Sequence, residues 1–228
     1  MNWTQKLQNW LNFGFYARCP FCDRPAVREF CQDCLHQIRS CQLSDSHPCW
    51  SSSLPVVSWG DYRGALKRAI ALLKYDNQPQ IARPLGQWLG ETWLSSHTTL
   101  PTVLVVPIPL YRAKEQQRGY NQAALIAHSF CDITGFPLRS QGLERVRKTA
   151  AQFGLSNLER ERNLSQAFVL GRDFLQKSPG YPVLLLDDIY TTGATVRSAV
   201  KTLEQSGIQV SGLVVVAKAQ LDRPQPAD

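Results

Sequence analysis

The chain has 228 residues, of which 43% are apolar and 19% charged. That is enough for roughly one and a half domains, and it excludes disordered and collagen-like chains. Lysine and arginine outnumber aspartate and glutamate 25 to 18, a net charge of +7, which favours polyanionic partners such as phosphates, nucleotides or nucleic acid. No apolar run reaches the roughly 18 residues of a membrane span. The opening MNWTQKLQNWLNFGF lacks the basic start, continuous apolar stretch and small-residue cleavage site of a secretory signal. The expected location is the cytoplasm.

The first expected element is a short amphipathic helix, with Trp3, Leu7, Trp10, Leu11 and Phe15 on one stripe. The cysteines follow. Six of the seven fall between positions 19 and 49, and a reducing compartment argues against a disulfide framework. Cys19 and Cys22 form C-P-F-C, Cys31 and Cys34 form C-Q-D-C, and eight residues separate the pairs. Two such knuckles can present four thiolates to one zinc ion. Four ligands close the coordination sphere, so the metal is expected to be structural and to supply most of the folding energy of so short a segment. Free buried thiols and redox chemistry are the other uses of such cysteines. Cys41, Cys49, His36 and His47 lie near enough in sequence to act as substitute ligands, whereas Cys131 falls in a helical pattern and reads as a buried small hydrophobe.

Residues 40–55, rich in Ser, Pro and Asp, read as a loop or linker. Beyond them the pattern alternates. Val56–Trp59 is a strand, Arg63–Lys74 a helix, Leu85–Trp93 a second helix, and Val103–Val106 a buried strand stopped by Pro107-Ile108-Pro109. Asn121–Phe130 is a helix, Leu143–Val146 and Phe168–Leu170 are short strands, and Ser156 with Glu159 has capping-box spacing for a helix between them. Val183–Leu186 and Val210–Val216 are buried strands around a Thr195–Gln205 helix stopped by Gly207. Strands alternating with helices imply an α/β fold with a mostly parallel sheet. The expected organisation is 1–54 for the N-terminal helix, zinc module and linker, 55–222 for the α/β domain, and 223–228 for a flexible tail.

The stretch V-L-L-L-D-D-I-Y-T-T-G-A-T, from Val183 to Thr195, carries the most chemistry. Its strand delivers Asp187 and Asp188 to a carboxyl end, where open α/β sheets bind ligands. Thr191, Thr192, Gly193, Ala194 and Thr195 then lead into a helix. Small residues let backbone N–H groups approach a phosphate, the threonine hydroxyls add donors, and the helix N-terminus favours an anion. The carboxylates need something other than the phosphate to face: sugar hydroxyls, a divalent cation or an amine. The pattern describes a ligand with a phosphate at one end and a ribose beside it. It is neither a Walker A loop nor a dinucleotide fingerprint.

This stretch resembles the 5-phosphoribosyl-1-pyrophosphate (PRPP) motif of type I phosphoribosyltransferases. Across nearly the whole chain the sequence resembles the ComF-type competence family, which includes GntX-like proteins. The resemblance is carried by the paired cysteine knuckles, by Lys74-Tyr75, by V-P-I-P-L-Y-R-A-K-E-Q-Q-R-G-Y-N-Q-A beginning at Val106, and by the block from Arg145 to Phe168. Many members carry a second pair of knuckles. Here only Cys41 and Cys49 remain, a departure that leaves open both a second metal and the ligand set of the first.

Arg112, Lys114 and Arg118 precede Gly119 and can hold a pyrophosphate, with Tyr120 and Asn121 as polar contacts; the bland reading is a solvated basic loop, and the resemblance makes this the pyrophosphate loop. Arg145, Arg147, Lys148 and Thr149 to Gln152 fall, by resemblance, in a flexible loop that closes over the reacting centre. Arg160 and Arg162 read as a charged helix face paired with Glu159 and Glu161. The resemblance implies a pentosyltransferase, a kind of glycosyltransferase, acting on PRPP or another ribose 5-phosphate ligand. Structural zinc and PRPP-borne magnesium are its cofactors. Asp187, Asp188 and Lys148 would serve at the reacting centre, Thr191 to Thr195 at the 5′-phosphate, and Arg112, Lys114 and Arg118 at the pyrophosphate. The acceptor is not legible. The other reading is a non-catalytic competence factor that binds single-stranded DNA through cations and stacking rings such as Phe21, Phe30 and Trp50, and senses a nucleotide with its phosphate loop. Its partners would be competence proteins; a homodimer is compatible with the sequence.

Overall fold

Runs of branched apolar residues bury both faces of a strand and demand helices on either side. The computed structural model satisfies that demand. It describes residues 17–44, 49–51, 54–96, 102–147, 167–175 and 179–219. In chain order the elements are β1 (Ala17–Arg18), β2 (Pro25–Ala26), α1 (Gln32–Arg39), β3 (Cys49–Ser51), β4 (Leu54–Asp61), α2 (Gly64–Tyr75), α3 (Ala82–Ser95), β5 (Leu104–Pro107), α4 (Arg112–Arg118), α5 (Gln122–Thr134), β6 (Leu143–Arg145), β7 (Phe168–Leu170), β8 (Val183–Tyr190), α6 (Ala194–Gln205) and β9 (Val210–Lys218).

The main sheet has the order β3-β4-β9-β8-β5. Strands β4, β9, β8 and β5 run parallel, and β3 is an antiparallel edge. Consecutive residues of β8 serve opposite faces, as the period of two requires. Leu184 and Leu186 join the core built with α2, α3 and α5. Val183 and Leu185 join the core built with α6 and the β6–β7 pair. The fold class is the one expected, a mostly parallel sheet flanked by helices beside a small four-cysteine module.

Helices α3 and α5 cross at backbone contact. A Cβ at Gly86 would lie 2.4 Å from the Ile126 carbonyl oxygen, and one at Gly90 2.8 Å from Ile133 Cβ. Asn121 caps α5, its side chain accepting from Ala123 N–H at 3.0 Å while its amide donates to the Ile108 carbonyl at 3.1 Å. One cap thus fixes both the helix start and the loop leaving β5.

The small module packs directly on this body. Arg68 of α2 donates to the Phe21 carbonyl at 2.7 Å and covers the Phe21 ring at 4.5 Å. Phe21 and Phe30 are 8% and 6% exposed and meet edge to face at 5.2 Å. These rings are core, which corrects the expectation that they stack on DNA bases: burying them holds the module together.

Three elements differ from expectation. Arg112–Arg118 is a helix rather than a loop. Cys49–Ser51, within the expected linker, hydrogen-bonds to β4 as an edge strand. Strand β8 continues four residues past Leu186 because β9 pairs with it as far as Tyr190. The N-terminal helix, Lys148, the Ser156 helix, His47 and the tail lie outside the described residues. Among the described residues, no helix is long and apolar enough to cross a membrane.

Candidate functional site

Two clusters of charged or ligating groups stand out. The first lies at the carboxyl ends of β5 and β8, where parallel strands leave a crevice. A cavity of about 160 Å³ there is lined by Asp187 and Asp188 from β8, Thr195 from α6, Lys114 and Arg118 from α4, and Lys74 from α2, with Tyr75, Gln122 and Arg145 completing the polar wall. The sequence-expected residues Asp187, Asp188, Thr195, Lys114 and Arg118 therefore converge. Arg112, exposed at the first residue of α4, is not among those that line the cavity.

Thr191 and Thr192 are exposed on the loop before α6. Gly193 takes φ +73°, and a Cβ there would lie 2.6 Å from the Tyr190 hydroxyl. Only glycine fits both the left-handed backbone and the close approach. Arg197, one turn into α6, donates to the Thr192 carbonyl at 2.8 Å and secures the loop. Ala194 begins the helix and is half-buried.

The carboxylates differ. Asp188 is 3% exposed, and its Oδ2 meets the Lys74 ammonium at 2.6 Å. Burial alone would lower Lys74, but the charges of Asp188 and Asp187 outweigh it and hold the ammonium above its ordinary value. Asp187 is more open, and one of its oxygens accepts from Asp188 N–H at 2.8 Å. Desolvation at its half-buried place on the strand end, and next the charge of Asp188, push its carboxyl well above the ordinary 3.8.

The opposite wall is cationic. Burial, followed by the charges of Arg118, Lys74 and Arg145, lowers Lys114. Arg145 is lowered by burial and lies 5.5 Å over the Phe168 ring. Arg118 donates to Gln122 and lies 5.8 Å over the Tyr75 ring. Cations gathered at mutual cost gain from any anion that enters. Lys74 was legible only as part of a family block. Its role depends on a partner far along the chain, which no local pattern reveals.

The second cluster is the four cysteines. Their sulfurs all lie within 4.8 Å of one another, with Cys22–Cys31 at 3.6 Å and Cys22–Cys34 at 3.7 Å. Zinc–sulfur bonds of about 2.3 Å in a tetrahedron place sulfurs about 3.8 Å apart, so the set fits one zinc ion. The first knuckle turns between β1 and β2, with Cys19 N–H donating to the Arg24 carbonyl at 2.9 Å. The second sits at the start of α1, where the helix dipole favours thiolates. Arg24 donates to Cys22 Sγ at 3.2 Å and lowers that thiol to about 6. Asp33 pairs with Arg24 at 2.8 Å and orients it. Cys41 points elsewhere: its sulfur lies 3.5 Å from the Arg63 carbonyl.

A scan against models of protein families finds no match. Individual relatives do match. Competence protein F of Haemophilus influenzae is 33% identical over 192 residues, covering 81% of this chain and 78% of that protein. DNA utilization protein YhgH of Salmonella typhimurium is 30% identical over 83% of this chain and 78% of its own length. Competence protein ComFC of Bacillus subtilis is 28% identical over 83% of this chain and 72% of its own. Among solved structures, a glutamine PRPP amidotransferase from Bacillus subtilis is 17% identical with a TM-score of 0.40, over 64% of this chain and 30% of that one. An adenine phosphoribosyltransferase from Leishmania donovani is 11% identical, also at 0.40, over 79% and 94%. The length and identity of the match to Competence protein F place this chain in the ComF competence family.

Proposed function

We propose that the cavity binds PRPP or a related ribose 5-phosphate ligand, and that the protein serves DNA uptake in natural competence through phosphoribosyl chemistry. The supporting observation is the convergence in one crevice of an acidic pair, a basic wall and a helix N-terminus. Thr191 to Thr195 receive the 5′-phosphate, where loop amides and the α6 dipole favour a dianion. The acidic pair faces the ribose, with Asp187 accepting from its hydroxyls and Asp188 held in register by Lys74. Lys114 and Arg118 hold the pyrophosphate. Their positive charge stabilises what develops on pyrophosphate as it leaves C1, and the carboxylates face the complementary positive charge on the sugar.

A magnesium ion would neutralise pyrophosphate oxygens. Asp187 is the carboxylate open enough to meet it, because Asp188 is taken by Lys74. Lys148 is assigned to closure over the pyrophosphate on the strength of the family block alone. A zinc ion in the cysteine cluster would be structural, since all four ligands come from protein.

Calorimetry with PRPP and magnesium tests the reading. Wild type binds, and Arg118→Ala loses about tenfold or more in affinity, as expected when a charged hydrogen-bond donor is removed. Arg112→Ala, outside the cavity wall, changes little. Absence of PRPP binding, or equal losses at both arginines, overturns it.

A further inference from the structure

We infer that Lys74 is the built-in cation of the acidic pair, standing where a divalent metal would otherwise sit, so that the cavity takes up a metal only together with its ligand. This deepens the phosphoribosyl reading, on which the ligand-borne magnesium rests. Adjacent carboxylates at a strand end are an ordinary start for a magnesium or manganese site. Such an ion needs only one or two carboxylates and keeps water in the rest of its shell. Here the chain itself supplies part of the neutralising charge.

Three features put the ammonium there. Lys74 falls in the last turn of α2, where the negative end of the helix dipole favours a cation. The Tyr120 hydroxyl donates to the Leu73 carbonyl at 2.6 Å and fixes that turn against the cavity wall. The ammonium then meets Asp188 Oδ2 at 2.6 Å, with 17% of the lysine side chain and 4% of the aspartate's left exposed. A carboxylate so covered offers almost no surface to a hydrated ion. Asp187, half-buried, lines the same cavity. A single carboxylate beside Lys114, Arg118 and Arg145 is a poor trap for a free divalent cation. An ion that arrives on a pyrophosphate brings its own anion and is not repelled in this way. Without the lysine, the pair keeps both negative charges and gains the volume of the ammonium, and a divalent cation takes its place.

The experiment counts manganese on the full chain by electron paramagnetic resonance of the free ion, with thermal melts alongside. Wild type without ligand holds no manganese that depends on Asp187, and its Tm does not respond to the ion. Two variants remove the lysine's charge. Lys74→Gln keeps a donor toward Asp188, and Lys74→Ala leaves room for a hydrated ion. Each gains about one manganese ion per chain, as one pair of carboxylates would hold, and its Tm rises with manganese. A gain in either variant supports the assignment, provided that adding Asp187→Asn abolishes it. Wild type acquires its ion once PRPP is present. Manganese on ligand-free wild type that Asp187→Asn removes overturns the assignment of Lys74. So does a gain that survives Asp187→Asn, or the absence of any gain in both variants, folded or not. Each of these leaves the phosphoribosyl reading standing. Failure of wild type to bind PRPP, with the lysine variants behaving as expected, overturns the phosphoribosyl reading and keeps Lys74 as the cation of the pair.

Discussion

The cysteine cluster and the strand-end cavity both crowd groups that repel one another once charged, but they resolve the crowding differently. In the cluster, four sulfurs lie within 4.8 Å, and a single dication would satisfy all of them at once. Nothing would remain for a substrate. In the cavity, cations and carboxylates share about 160 Å³ of space. Only the Lys74–Asp188 pair is closed on itself, among the acid–base contacts described there. Crowding of one sign in a sealed geometry suits a resident ion. Mixed signs around open volume suit a ligand that comes and goes.

The sharpest way to break this contrast is to empty the cluster. Metal analysis of wild type is expected to show about one zinc per chain, and Cys34→Ser should lose it along with the module's fold, since structural zinc contributes about 10–16 kcal/mol in small modules. Cys41→Ser should keep the metal, because its sulfur faces the Arg63 carbonyl instead. Metal content unchanged in Cys34→Ser would remove the cluster's half of the comparison.

Next in size is the closed pair within the cavity. Lys74→Met leaves Asp188 buried without its counter-ion and should cost about 3–5 kcal/mol in urea unfolding. Adding Asp188→Leu should recover most of that loss. A single variant as stable as wild type would make the pair an ornament of the cavity rather than its brace.

The smallest effect concerns Asp187. Its carboxyl titrates above the ordinary 3.8 in the folded protein, so the folded state favours the proton more than the unfolded chain does. That contribution is complete at acid pH and is lost as pH rises through the elevated value. Asp187→Asn should therefore raise Tm at pH 7 by a few degrees, with the gain vanishing below about pH 4, while PRPP binding weakens. A Tm gain that is the same at both pH values would show that charge is not its source.

The strands and most helices were legible because their signal is local. Four consecutive apolar residues at Val183 could only be buried, and the Arg63–Lys74 periodicity gave α2 to within a residue. Helix α4 was not read because RAKEQQR has no buried residue and hence no apolar stripe. The signal available was propensity: Arg, Ala, Lys, Glu and Gln are all strong helix formers, and Gly119 stops them. In the site, Asp187, Asp188 and the threonine loop announced themselves by order along the chain. Lys74 and Tyr75 did not, because a helix end far from β8 in sequence becomes a wall of the cavity only after the sheet has formed. Phe21 and Phe30 misled for the opposite reason. Aromatics in a short cysteine-rich segment look available until the packing of Arg68 and of each other is seen.

The backbone-to-backbone crossing at Gly86 reaches further than its own neighbourhood. A methyl group there has no space beside the Ile126 carbonyl, so it must displace α5, and α5 starts at the cap that tethers the Ile108 loop. In a mutational tolerance map, Gly86 should therefore score with the ligand-contacting positions although it touches no ligand. Selection for a function at one end of the sheet would then leave its imprint on a helix crossing behind it.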